Sequence, residues 1–213
     1  YILGDLSDAW LGDDDDSDIA DVLRTEIKTL SDAGVNVFIM VGNRDFLMGQ
    51  QFANDSHCKI LPDPSVINLY GQSVLLMHGD SLCTSDTEYM AFRAQIRNPD
   101  MQQMLLSKSL DERRGIAKML REKSQSANAT KASDIMDVTP SEVVKALSDH
   151  NVDIMIHGHT HRPQVHSLVR DTENQTEAKR YVLGDWDSQG WCITASKEDS
   201  SLAPLLSLES FDL

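Results

Sequence analysis

Asp, Asn and His recur at four places in this chain, each directly after a short apolar run. The polar clusters are Gly4-Asp5, Gly42-Asn43-Arg44-Asp45, His78-Gly79-Asp80 and Gly158-His159-Thr160-His161. Carboxylate, amide and imidazole groups are donors for hard and borderline divalent metals. The runs before them are Tyr1-Ile2-Leu3, Val37 to Val41, Val74 to Met77 and Ile154 to Ile156. Short apolar runs of this kind read as buried strands. Four such strand ends converging would make a two-metal hydrolase site.

Each cluster suggests its own chemistry. The two oxygens of Asp5 carry separate lone pairs and can bridge two cations. Asn43 offers a neutral amide oxygen, and the planar fork of Arg44 suits a phosphate. Asp45 is expected to orient a neighbouring His or the Arg. His78 stands at a strand end, where Gly79 permits close backbone approach. His159 and His161, two apart in an extended segment, project to one side and can serve one metal each. His157 is read as a packing or hydrogen-bonding residue. Taken singly, the first three clusters have plainer readings: a turn, a surface ion pair and a structural imidazole. Three His in five residues set the fourth apart.

Secondary elements must hold these clusters in place. Ser17 to Ala33 reads as a helix with Ile19, Val22, Leu23, Ile27 and Leu30 on one face, stopped by Gly34. With the runs on either side it makes a parallel strand-helix-strand unit, whose functional ends are the strand C-termini. Val66 to Tyr70 and Val74 to Met77 read as a strand pair around Gly71. Thr84 to Val138 lacks strand patterning and reads as helices over Asp86 to Arg97, Met101 to Leu106 and Leu110 to Gln125, with a break at Asn98-Pro99. Thr139-Pro140-Ser141-Glu142 reads as a capping box opening another helix. Short strands are expected at Gln164 to Val169, Tyr181 to Leu183, Cys192 to Ala195 and Leu205 to Leu208. The expectation is an α/β core over 1–83 and 139–213, interrupted by a helical insertion over 84–138.

The bulk properties narrow the choices. A chain of 213 residues suits one domain with a core of ordinary size. No apolar run approaches the roughly 18 residues that span a bilayer. A net charge of -15 argues against general nucleic-acid binding. The stretch from Met90 to Lys131 reverses that sign, with nine Lys and Arg against four acids. A local basic stretch in an acidic protein is expected to meet an anion. Asp13 to Asp16 is read as a solvated acidic run that favours the start of the following helix. Cys58, Cys83 and Cys192 are too widely spaced for a zinc ribbon or a disulfide framework, and are expected to be reduced thiols of a cytoplasmic protein. Asp185 and Asp187 carry no assigned role.

In order, the four clusters resemble the calcineurin-like metallophosphoesterase family, and the likeness covers nearly the whole chain. The resemblance implies an αββα sandwich with a helical cap. It also implies two metals that share a bridging Asp and activate the hydroxide attacking phosphorus in line. Carried over by residue, Asp5 would bridge, Asn43, His78 and His159 would complete one metal, and His161 would belong to the other. Asp5, Asn43, His78 and His159 would be the catalytic set.

The longer stretches look like one branch of that family. They are Tyr1 to Leu6 with Ala9 to Asp14, Gly42 to Leu47, Leu76 to Thr84 and Ile156 to Pro163, with Tyr89, Phe92, Arg93 and Ile135 to Val138 in agreement. That branch cleaves the pyrophosphate of UDP-2,3-diacylglucosamine in lipid A biosynthesis, using manganese at the inner face of the cytoplasmic membrane. The likeness implies two Mn2+ ions, a lipid-linked UDP-sugar substrate and a peripheral membrane location. It implies substrate binding by Asn43, Arg44, Asp86, Arg121, Ser124, Asn128, Lys131 and His159. A helix running through Asn128 would put Arg121, Ser124, Asn128 and Lys131 on one side. Met101, Met104, Leu105, Leu106, Leu110 and Ile116 would offer apolar surface to acyl chains. The family also carries an Asp-x-His pair upstream of the Gly-Asp element, where this chain has four residues. The expectation is therefore a fragment with weak or no activity as it stands. Two rivals stay open: a metallophosphoesterase for soluble nucleotides or phosphoesters, and a degenerate, non-catalytic lipid-binding homologue.

Overall fold

A computed structural model describes residues 1–128, 135–171, 176–197 and 204–213, and the side chains within them except those of Ala127, Asn128 and Asp171. The chain divides into two compact units, residues 1–62 with 85–136, and residues 63–84 with 137–213.

The first unit holds a parallel sheet in the order β1 (Ile2–Leu3), β2 (Phe38–Met40), β3 (Lys59–Leu61). Helix α1 (Asp18–Asp32) links β1 to β2, and α2 (Gln50–Asp55) links β2 to β3. Ser17 caps α1, its side chain accepting from the Ala20 amide, and Gly34 follows the helix at φ 92°. Ala20, Ile27, Ile39, Phe52 and Trp10 pack into one core, with Leu23 partly buried against it. The apolar face expected of α1 is only half used. Ile27 and Leu23 face the core, while Ile19, Val22 and Leu30 are exposed. Ala20 takes the inward place, because a short side chain lets the helix sit close to its sheet.

The helical segment belongs to this unit. Its elements are α3 (Thr87–Ile96), α4 (Pro99–Leu106) and α5 (Leu110–Asn128). Asn98 caps α4, accepting from the amides of Asp100 and Met101, with Pro99 in the first turn. Helix α5 runs through Asn128, further than the periodicity to Gln125 suggests.

The acidic run before α1 is only in part the solvated face expected: Asp14 and Asp16 are exposed, whereas Asp13 and Asp15 are drawn inward. Asp13 accepts from the amides of Gly49 and Phe52 at the start of α2, and from the Trp10 ring nitrogen. Asp15 is buried and accepts from the Ser17 amide. Asp14 pairs with Arg113, and Asp16 with Arg114. Arg113 is itself buried and also donates to the Leu11 carbonyl at 2.5 Å. Part of the insertion's basic surplus is thus spent on the chain's own acids, binding α5 to the loop of residues 11–16.

The second unit is built on a five-stranded sheet. Its order is β4 (Ser65–Leu69), β5 (Gln72–Met77), β6 (Ile154–His157), β8 (Thr176–Val182), β7 (Gln164–Asp171). Tyr70 and Gly71, at φ 52° and 96°, turn β4 into β5. Helix α6 (Pro140–Asp149) supplies Val143 and Leu147 to the core beside Leu75 and Met155. The capping box expected at Thr139 is replaced by longer-range bonds. The Thr139 amide donates to the Leu82 carbonyl at 2.8 Å, and its hydroxyl bonds that of Thr84. A two-stranded antiparallel sheet joins β9 (Gln189–Ser196) to β10 (Leu205–Asp212). No helix among the described residues is long and apolar enough to cross a membrane.

Candidate functional site

Every one of the four clusters stands at the C-terminal end of a strand, as expected. Parallel pairing is what brings them together within each unit, because parallel neighbours end on the same edge. In the first unit Leu3 pairs with Met40, so Asp5 and Asn43-Arg44 leave the sheet side by side. The Arg44 amide donates to an Asp5 carboxylate oxygen at 2.9 Å, and the Arg44 guanidinium lies 3.7 Å from the other oxygen. In the second unit Met77 pairs with His157, and the Gly158 amide donates to the His78 carbonyl at 3.0 Å. The rings of His78 and His159 meet edge to face with centroids 5.0 Å apart.

The backbone at the site is unusual. Asp5, His159 and His161 have φ values of 55°, 65° and 53°. Left-handed backbone costs a side-chain-bearing residue about 1 kcal/mol and gathers where function needs it. For the two histidines this replaces the extended segment read from their spacing. Strand β6 ends at His157, and both imidazoles are aimed by tight left-handed turns beyond it. Gly79, at φ 113°, is required on its own account. A Cβ there would lie 2.8 Å from His157 Nδ1 and 3.2 Å from the Gly158 carbonyl.

Supporting residues take roles that spacing does not reveal. Asp45 is buried and accepts from the amides of Leu6 and Gly42, so it staples the two loops. Asp185 approaches His161 Nδ1 at 3.5 Å, where it can orient that imidazole. Asp8 bonds both Arg44 and Arg121, at 2.7 and 2.8 Å. Asp185 follows the apolar run Tyr181 to Leu183 through Gly184, as Asp5 follows Tyr1 to Leu3, so its place at a strand end was open to reading; Asp8 follows no such run, and only folding exposes its partners.

His157 is buried and donates from Nδ1 to the Gly158 carbonyl at 2.9 Å, consistent with a packing and hydrogen-bonding residue. Burial holds its pKa down at about 4. Burial, and then the neighbouring His78, hold His159 at about 3. A neutral imidazole keeps the lone pair that metal ligation requires, so His159 fits a divalent ion. The depressed values also set a pH dependence. The unfolded imidazole takes a proton below pH 6.5, whereas folded His157 resists one until pH about 4. Stability is therefore lost as pH falls through that window, by about 2 kcal/mol between pH 6.5 and 5 for one such group. Urea melts of the metal-free chain should show a lower midpoint at pH 5 than at pH 7. Equal midpoints would contradict this.

The helical segment borders an open cavity of about 600 Å³ within the first unit. That volume lies in the range of small-molecule sites. Asn43, Arg44, Arg121 and Ser124 line it, so four of the expected substrate-binding residues share one wall system. Its apolar lining includes Trp10, Phe92, Leu105, Ile116 and Leu120. Met104 and Leu106, expected to offer surface to acyl chains, are exposed and are not among the residues lining this cavity. Asp86 is buried and caps α3 by accepting from the Tyr89 amide, and it is not among the cavity-lining residues. Backbone at Asn128 is helical. Lys131 lies outside the described residues.

Comparison with known proteins agrees with these features. A family model described as calcineurin-like phosphoesterase matches residues 1–163. The chain is similar to the UDP-2,3-diacylglucosamine hydrolase of Cellvibrio japonicus (strain Ueda107), with 52% identity over 92% of this chain and 80% of that protein. The protein of the same name from Marinobacter nauticus (strain ATCC 700491 / DSM 11845 / VT8) is 50% identical over 92% of this chain and 80% of its own length. That from Pseudomonas entomophila (strain L48) is 46% identical over 96% of this chain and 84% of its own length.

Proposed function

The chain belongs to the calcineurin-like phosphoesterase family, and from that premise we propose that it hydrolyses the pyrophosphate bond of UDP-2,3-diacylglucosamine in lipid A biosynthesis. The carrying observation is the 52% identity to a hydrolase of that name, over 92% of the chain. The oxygen of water joins the α-phosphorus and the bridging P–O bond breaks. UMP and 2,3-diacylglucosamine 1-phosphate are the products.

Use of divalent metal follows from the family. The proposed ligands are Asp5, Asn43, His78, His159 and His161. Asp5 is the proposed bridge, and Asn43, His78 and His159 serve with it in catalysis. Mn2+, two per site, is the proposed ion. When bound, the pair supplies Lewis-acid charge and lowers the pKa of water. The chain's own groups do the rest. Arg44 offers its fork to the phosphate charge that grows during bond cleavage. Asp185 keeps His161 aimed.

Residues 84–138 are the proposed substrate-binding insertion, with Arg121, Ser124, Asn128 and Lys131 toward the phosphosugar and Asp86 at its first helix. Asn43, Arg44 and His159 complete the proposed substrate contacts. The apolar cavity wall suits acyl chains, and a peripheral place on the inner face of the cytoplasmic membrane suits such a substrate. UMP release from UDP-2,3-diacylglucosamine with Mn2+, assayed on a form that carries the upstream Asp-x-His pair, tests the reading, and no release would sink it. Arg121→Ala with Lys131→Ala should lower turnover of the lipid substrate at least about tenfold. The same change should leave p-nitrophenyl phosphate hydrolysis intact. Parallel losses on both substrates would favour a phosphoesterase for small soluble esters.

A further inference from the structure

Asp8 stands between two cations that line the same cavity. One carboxylate oxygen accepts from Arg44 Nη1 at 2.7 Å, and the other meets Arg121 Nη2 at 2.8 Å. Arg44 comes from the loop after β2 and Arg121 from the second half of α5. Both side chains are more than two-fifths exposed, at 41% and 45%. Exposed ion pairs of this sort stabilise a fold little. Held apart from any anion, however, two guanidiniums repel each other, and each long side chain samples many rotamers. A carboxylate gripping one nitrogen of each removes both difficulties. The Asp8 carboxyl is correspondingly held below the usual carboxylate range, first by the Arg121 hydrogen bond and then by both cations against burial. It is therefore a carboxylate at any working pH.

A guanidinium has five N–H donors, and Asp8 engages one nitrogen on each. The fork can hold Asp8 and still address a phosphate. We propose that Asp8 is a positioning residue, bracing Arg44 and Arg121 as one preassembled clamp for the phosphate groups of the substrate. The inference rests on the proposed reading of the site as one for a lipid-linked diphosphate. It makes a prediction whose sign separates it from simple electrostatics. As a negative charge near a phosphate binder, Asp8 should weaken binding, and its removal should tighten it. As a brace, its removal should loosen two rotamer-rich side chains and weaken binding.

Binding of 2,3-diacylglucosamine 1-phosphate and of its dephosphorylated counterpart, measured on the full chain by calorimetry, decides between these. Asp8→Ala should raise the Kd for the phosphorylated lipid about tenfold. It should leave the Kd for the dephosphorylated lipid unchanged, which general damage to the cavity would not. In an Arg121→Ala background, Asp8→Ala should cost much less than in the unmodified chain, because there is no pair left to brace. Asp8→Glu should keep most of the affinity. Unchanged or tighter binding by Asp8→Ala, or equal losses with both lipids, would overturn the assignment. Failure of the unmodified chain to bind either the 1-phosphate or UDP-2,3-diacylglucosamine would instead remove the functional reading, and the clamp with it.

Discussion

Asp5→Asn should lower the turnover of UDP-2,3-diacylglucosamine by about 10³-fold or more while leaving the fold intact. The substitution is nearly isosteric. Asn tolerates left-handed backbone as well as Asp does, so the φ of 55° is kept. Its amide oxygen can still accept from the Arg44 amide, now at 2.9 Å. What disappears is the negative charge and the second oxygen, on which bridging of two cations depends. In place of that oxygen the side chain presents an NH₂ group, which repels a cation. Metal Lewis acidity contributes several kcal/mol to such reactions, and each 1.4 kcal/mol is a factor of ten. The check is kcat/KM for UMP release, together with bound metal per chain and a urea melt. Activity within tenfold of the unmodified chain, with metal content unchanged, would show that Asp5 is not the bridge.

Phe52→Ala should destabilise the first unit by about 4 kcal/mol, the usual scale for deleting a fully buried aromatic side chain. Phe52 has no exposed surface and meets Trp10 edge to face, with ring centroids 5.0 Å apart and planes at 83°. Trp10 is in turn tied to the site. Its amide donates to the Arg44 carbonyl at 3.0 Å, its ring nitrogen donates to Asp13, and the Arg24 guanidinium lies 5.4 Å over its ring. The loop that carries Asp8 is thus pinned through one indole. Loss of the Phe52 ring should loosen that loop as well as lower the denaturant midpoint. A rise in KM is expected at temperatures where the variant is still folded. Phe52→Leu, which refills most of the volume, should recover over half of the stability. A loss below about 1 kcal/mol for Phe52→Ala would mean that the site collapses to fill the gap.

Much of the site was legible without coordinates, and the reason is local. A strand end is marked by where an apolar run stops, so Asp5, Asn43, His78 and His159 could be placed on strand C-termini from order alone. Helices α3, α4 and α5 follow from periodicity and from Asn98-Pro99, which act over one or two turns. Less of the supporting structure was legible. Asp13 to Asp16 has the look of a solvated run because, apart from Trp10 and Ser17, the groups that pair with it are remote in sequence. The remote partners are Gly49, Phe52, Arg113 and Arg114, between 36 and 99 residues away for those bonded to Asp13 and Asp14. The capping box at Thr139 failed for the same reason, since bonds to Leu82 and Thr84 displaced the local ones.

The sequence by itself determined the donor types, their order and the strand ends that present them, together with the family to which they point. These depend on side-chain chemistry and on hydrophobic runs a few residues long. Only the tertiary structure decided the aim of those donors. Left-handed turns at His159 and His161 replaced the extended segment read from their spacing, and another stands at Asp5, because a turn's φ is set by what the surrounding loops leave room for. Folding also decided which charges meet. Asp8 lies 36 residues from Arg44 and far beyond the reach of any helical or strand period from Arg121. An ion pair between distant segments has no sequence signature, and the clamp at the cavity wall exists only once β2 and α5 have been packed into the same unit.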